Sequence, residues 1–316
     1  MKAGGLSSHF AFLLAVLLGW TGSDLGLHQG SRRMATQANR GRTLILAAAF
    51  LWSLAGVFIK FLEVPPLTIV FYRSLFACLV FTPFVRPAHW RFNQAVLVST
   101  ITYTAAISAF VSANKVTSAA NAIVLQYTAP IFVFLFSRLV LGEPVTRLNT
   151  LTLVAGMGGV TLISLDSVGE PEMGGVLLAL LSGLLFAAYM LNLRRTMDLA
   201  PIYLTWINNG FCALALFFFV YSELSLTSRE LIILAVMGAV QLGIPYFLFS
   251  KGLERISLQE AALIALIEPV LNPIWVGLLV GEIPSRATLG GSVLIVAGLA
   301  VRYLWPLMRR TALPPG

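Results

Sequence analysis

Apolar runs of roughly twenty residues recur along almost the whole chain, separated by short polar breaks, and no other feature limits the possible folds as strongly. A helix needs roughly 20 mostly apolar residues to cross the hydrocarbon core of a bilayer. Ten stretches meet that need: 43–62, 66–85, 94–112, 118–140, 148–165, 174–193, 201–221, 231–250, 258–280 and 287–307. Between them fall Pro65-Pro66, Arg86-Pro87, Gly142-Glu143-Pro144, Gly169-Glu170-Pro171, Ala200-Pro201 and Gly281-Glu282-Ile283-Pro284, where helix-ending residues belong. The pattern predicts an all-α integral membrane protein of ten transmembrane helices. Only 11% of the 316 residues are charged and mean hydropathy is +0.87, which leaves no length for a sizeable soluble domain.

A net charge of +8 would point to nucleic acid in a soluble protein, but here basic residues flank apolar segments and act as a topology signal. With the N-terminus inside, 16 of the 21 Lys and Arg fall on the inner side. Lys60, Lys115, Arg229 and Arg286 fall outside, and Arg73 lies within a helix. The bias predicts a multi-pass protein of the cell (inner) membrane with both termini cytoplasmic, and no nucleic-acid partner. Cys78 and Cys212 lie in apolar stretches and read as small buried hydrophobes, so neither a disulfide nor a metal site is expected.

The chain also repeats itself. At an ungapped offset of 139 residues Ser118 aligns with Ser257, Ala122 with Ala261, Pro130 with Pro269, Gly142 with Gly281, Glu143 with Glu282 and Gly159 with Gly298. Shared composition explains matched Ala and Gly but not a Pro and a Gly-Glu pair in register. Five helices per copy is an odd number, so equivalent helices must cross in opposite directions, giving the inverted repeat that underlies many secondary transporters. The expected organisation is a first five-helix repeat over 43–166, a second over 174–307 and a tail over 308–316. Residues 1–42, with a short apolar run from Phe10 to Trp20, read as a cytoplasmic extension that is dispensable rather than a working signal.

The segment from Val116 to Pro130 (VTSAANAIVLQYTAP), the following Leu141-Gly142-Glu143, and their second copy from Ala261 to Pro269 (AALIALIEP) through Val280-Gly281-Glu282 resemble the EamA family of the drug/metabolite transporter superfamily. The likeness runs from about Thr43 to Leu307. It implies a ten-helix fold with a central cavity between the halves and transport of metabolites such as amino acids, often outward. It also implies architectural roles for Pro130, Pro269, Glu143 and Glu282.

An ionisable side chain within a membrane helix is a functional candidate by default. Glu268, just before Pro269, is the first of these: Pro lacks a backbone donor, frees a carbonyl and can bend the helix toward a cavity. Glu268 would bind a cationic group or take up a proton, since removal from water favours the neutral acid. The structural alternative is an ion pair with Arg73, the one basic residue well inside a helix. Gln126, Tyr127, Asn208, Gln241, Tyr246, Asn272 and Trp275 form a second tier for substrate or proton binding, together with Asn121 and Asn209. Each of them would equally serve as a hydrogen bond between helices. Trp52, Tyr103, Tyr189 and Trp206 are candidates for an aromatic lining or for packing.

The sequence carries no Walker A motif, paired-His metal motif or nucleophile elbow, and no cofactor is expected. The expectation is a secondary transporter rather than an enzyme, exporting an amino acid or related compound, with lipid and a small-molecule substrate as its partners. Protons are a candidate co-substrate. The small residues Gly156, Gly158, Gly159, Gly290, Gly291 and Gly298 fit tight helix packing or a homodimer contact. The alternatives are an uptake carrier for a vitamin or nucleoside-like solute and, in another class, a membrane-embedded enzyme or assembly partner.

Overall fold

The computed structural model describes residues 29–116, 119–165, 173–223, 225–280 and 286–311, and every regular element among them is helical. In chain order these are α1 (Gln29–Trp52), α2 (Ala55–Lys60), α3 (Pro66–Phe81), α4 (Gln94–Val116), α5 (Ala119–Gln126), α6 (Ala129–Leu141) and α7 (Arg147–Leu165). They continue as α8 (Met173–Leu193), α9 (Pro201–Val220), α10 (Ser228–Val236), α11 (Ile244–Leu253), α12 (Leu258–Ala265), α13 (Glu268–Val280) and α14 (Arg286–Thr311). A π-helical segment, Met237–Gly243, joins α10 to α11. Among the described residues six helical stretches are long and apolar enough to cross a membrane, and Ala129–Leu141 and Arg147–Ile163 are shorter apolar helices.

The surface is inside out relative to a soluble protein. Leu139, Phe218 and Leu278 are 70%, 72% and 72% exposed, whereas Arg73, Asn208, Asn209, Gln241 and Gln259 are buried. Apolar side chains turned outward and polar ones turned inward are what hydrocarbon solvent demands. Helix starts follow local chemistry: Pro66 and Pro201 open α3 and α9, where a missing donor costs nothing. At the end of α6 the chain turns through Gly142 at φ +66°, a left-handed conformation suited to Gly.

Helix α1 reaches back to Gln29, well before the expected start at 43, because the polar, basic stretch that ends at Arg42 is permissive for helix. Three of the expected single spans are interrupted. The first breaks at Ser53-Leu54, the stretch 118–140 breaks at Tyr127-Thr128, and 258–280 breaks at Leu266-Ile267. The last two breaks sit just before Pro130 and Pro269, each of which removes a helix donor. The bounds of α5 and α12, and of α6 and α13, are 139 residues apart at both ends.

The most extensive packing joins α7 to α14, α4 to α8, α3 to α9 and α1 to α11. Between α7 and α14 the glycines at 159 and 291 touch each other's backbone: a Cβ on Gly159 would meet the Gly291 carbonyl, and one on Gly291 the Gly159 carbonyl. Small residues bring two helix axes close enough for backbone contact, which supplies attraction in a solvent that offers no hydrophobic drive between helices.

Candidate functional site

An aromatic cluster gathers at the first of these breaks. Trp52 at the end of α1 lies with its ring 5.0 Å from Tyr246 of α11, 5.2 Å from Phe249 and 6.0 Å from Phe186 of α8. Tyr103 of α4 lies 4.9 Å from Tyr246 and 5.4 Å from Tyr189, and the Tyr189 and Tyr246 rings are 5.8 Å apart. The edge-on geometry of most of these pairs suits the ring quadrupoles.

Each broken helix leaves backbone carbonyls that hydrocarbon cannot solvate, and side chains from distant helices satisfy them. Pro269 has no N–H for the Ala265 carbonyl four residues earlier, and the Tyr127 hydroxyl donates to that oxygen at 3.3 Å. The Glu268 carboxyl lies beside the same hydroxyl. At the first break Asn272 Nδ2 donates to the Ser53 carbonyl at 3.1 Å and Trp275 Nε1 donates to Ser53 Oγ at 2.8 Å. Gln241 Nε2, from the π segment, donates to the Trp52 carbonyl at 3.4 Å. Gln126 Nε2 donates to Ser182 Oγ at 3.1 Å, which in turn donates to the Ala106 carbonyl.

The two ionisable candidates are not paired with each other. Glu268 heads α13, partly buried, beside Tyr127. Arg73, on α3, is 4% exposed and lies among Tyr103, Tyr246 and Cys212, and its Nε and Nη1 have no hydrogen-bond partner. The structural alternative, an ion pair between Glu268 and Arg73, is not formed: Arg73 Nε and Nη1 are unpaired, and Tyr246 lies near both residues. Asn208 Nδ2 donates to the Tyr189 hydroxyl at 3.4 Å, and Tyr103 donates to Asn209 Oδ1 at 2.8 Å.

Of the expected aromatic lining, Trp52, Tyr103 and Tyr189 belong to the cluster. Trp206 does not: its ring stacks 5.8 Å from Trp90 and its Nε1 donates to Thr82 Oγ1 in an exposed position, as an interfacial anchor does. Phe186, Phe249, Ser53 and Ser182 join the site without having been singled out by sequence, since an aromatic or small hydroxyl in an apolar helix looks the same whichever way it faces. Glu282, the Asn121 side chain and the Phe10–Trp20 run lie outside the described residues.

Pro130 and Pro269 are both buried, at the heads of α6 and α13. Glu143 lies elsewhere, at the end of the molecule rich in arginine. It accepts from the backbone N–H of Leu258 at 3.1 Å and of Gln259 at 3.4 Å, so it caps α12 rather than a helix next to it in sequence. Arg194 contacts Glu143 at 3.4 Å and donates to the carbonyls of Leu253 and Ile256 at 2.7 and 2.6 Å. A depression of about 500 Å³ opens here beside Glu143, Arg194, Glu254 and Arg255, all of which are already paired.

The family model of the EamA-like transporter family matches the chain twice, over residues 39–165 and 173–304. The chain belongs to the EamA-like transporter family. An uncharacterised transporter of Archaeoglobus fulgidus is 26% identical over 83% of this chain and 96% of its own length. An uncharacterised protein of Pseudomonas aeruginosa is 31% identical over 71% of this chain and 75% of its own. One solved crystal structure superposes with a TM-score of 0.73 at 20% identity, covering 84% of this chain and 97% of that one, which shows a common fold. As an EamA-like protein with several membrane-span candidates, the chain is a multi-pass membrane transporter.

Proposed function

We propose that this EamA-like protein is a ten-helix secondary transporter of a small organic metabolite such as an amino acid, moving it outward across the cell membrane. Two inverted five-helix copies would exchange roles so that one central site faces each side in turn, with both termini cytoplasmic. The packing pattern carries this reading. All four of the most extensive helix contacts run between the two copies matched by the family model, none within one. Exchanging the copies turns the α1–α11 contact into the α8–α4 contact and returns α3–α9 and α7–α14 to themselves, as a two-fold relation requires.

Glu268 supplies the coupling group. When the carboxyl is ionised, the Tyr127 hydroxyl has a charged acceptor and is drawn from the Ala265 carbonyl. When it is protonated, Glu268 donates to the Tyr127 oxygen and the hydroxyl hydrogen returns to Ala265. The proton thus decides whether the carbonyl freed by Pro269 is satisfied, which ties the charge state to the bend of the α12–α13 pair.

The test compares metabolites inside cells and in the medium for strains lacking the protein, expressing it, and expressing Glu268→Gln at matched membrane levels. A solute that leaves cells with the wild type, and at no more than about a tenth of that rate with the variant, supports both transport and the role of Glu268. Equal export by the two proteins would remove Glu268 from the mechanism. An unchanged metabolite profile on expressing the wild type would count against the export reading.

A further inference from the structure

Arg73 presents a problem that protein groups alone do not solve. A guanidinium stays charged at any physiological pH. Removing it from water costs several kcal/mol unless a counter-charge or a full set of acceptors replaces the lost hydration. Among the described residues no carboxylate pairs with Arg73, and its Nε and Nη1 have no hydrogen-bond partner, although the side chain is only 4% exposed. Tyr103, Tyr246 and Cys212 lie near it, and a neutral phenol or thiol supplies no counter-charge.

Other unmet polar atoms attach to the same cluster. Trp52 Nε1 is a buried donor without a partner, and Asn208 Oδ1 and Gln241 Oε1 are buried acceptors without one. They belong to the aromatic cluster that includes Tyr103 and Tyr246: Trp52 contacts the Tyr246 ring, Asn208 bonds to Tyr189, whose ring contacts both tyrosines, and Gln241 bonds to the Trp52 carbonyl. Unpaired donors on a fixed positive charge, with unpaired acceptors on the same aromatic cluster, match a solute that carries an anionic group and at least one polar hydrogen.

We propose that Arg73 is the anion subsite of the transport site and takes the carboxylate of a carboxylate-bearing solute through its unpaired Nε and Nη1. This rests on the transporter reading and names part of the substrate. The Nε–Nη edge of a guanidinium meets a carboxylate with two parallel hydrogen bonds, so the match is one of shape as well as charge. The tyrosine rings then set the size and apolar character of the rest of the solute.

The test uses the full-length protein, purified in detergent in low-chloride buffer. Thermal stabilisation is measured with a panel of amino, hydroxy and dicarboxylic acids, each beside its primary amide, and with chloride alone. Support requires that at least one acid stabilises the wild type while its amide does not. Arg73→Gln should lose about a hundredfold in affinity for that acid and its preference for acid over amide, with Arg73→Lys falling between. A residue that only packs would not move the acid-to-amide ratio, and that ratio in the wild type decides even where Arg73→Gln fails to fold. The proposal is overturned if no acid stabilises the wild type, if amides match their acids, if chloride alone protects, or if folded Arg73→Gln binds the acid as before. Counterflow in proteoliposomes separates the two readings. Binding of the acid without counterflow would sink the transporter reading and leave the subsite, whereas unimpaired counterflow by Arg73→Gln would do the reverse.

Discussion

Tyr127, Ala265, Glu268 and Pro269 together show how one missing backbone hydrogen organises a site. The freed Ala265 carbonyl needs a donor, the Tyr127 hydroxyl supplies it from 138 residues away, and the Glu268 carboxyl lies beside that hydroxyl. Tyr127→Phe should therefore destabilise the protein by about 1 kcal/mol, within the range for hydrogen bonds between membrane helices. In a Pro269→Ala background an N–H returns to residue 269, and Tyr127→Phe should cost clearly less. Unfolding of the four proteins of this cycle, by denaturant in micelles, measures the coupling. Additive effects would mean that the hydroxyl is not serving the carbonyl freed by Pro269. Glu268 and Arg73 were legible in the sequence because an ionisable group in an apolar run stands out against its surroundings. Their lack of a mutual ion pair was not, since two residues some distance in from their helix ends can pair or not depending on how the helices are rotated.

Helices α7 and α14 show that packing is decided by single positions on one face. A Cβ at Gly291 would run into the Gly159 carbonyl and the Ile163 backbone, whereas nothing lies within 4 Å of a Cβ at Gly290. Gly291→Ala should force the helices apart and cost about 1–3 kcal/mol. Gly290→Ala should be neutral or stabilise by up to about 1 kcal/mol through helix propensity. Melting temperatures of the two neighbouring variants check this, and equal effects would mean that α7 and α14 do not meet at Gly291. At this scale much was written in the sequence: Pro66, Pro201 and Gly142 mark element ends through chemistry local to the chain. The break at Ser53-Leu54 was not. It has no proline, and the side chains that satisfy it, Asn272 and Trp275, come from α13. The helical state of the stretch before Arg42 was also missed, because charge marks a segment as outside the lipid without saying whether it is helical.

Across the whole molecule the copies are locked to each other at the arginine-rich end. Arg42 donates to Glu260 at 2.8 Å, Arg302 to Asn149 at 2.6 Å and Gln259 to Ser137 at 3.0 Å, while Glu143 holds the N-terminus of α12. In each of these contacts one partner belongs to the first copy and the other to the second. In the proposed alternating-access cycle these contacts would close this end, and Glu143 ties several of them together, because it accepts from two backbone donors at a helix N-terminus and also meets Arg194. Ser250, buried on α11, lies between the tyrosine cluster and this end, and Ser250→Cys changes little in volume. With Cys78 and Cys212 replaced by Ala, a cysteine at 250 should react slowly with an impermeant maleimide in both inside-out and right-side-out vesicles. Adding Glu143→Ala should raise that rate about tenfold or more in inside-out vesicles alone, since each kcal/mol of lost closure raises the open fraction about fivefold. A rise confined to right-side-out vesicles would place the arginine-rich end outside and reverse the topology read from the Lys and Arg bias. No rise in either preparation would show that these contacts hold the fold together without gating it.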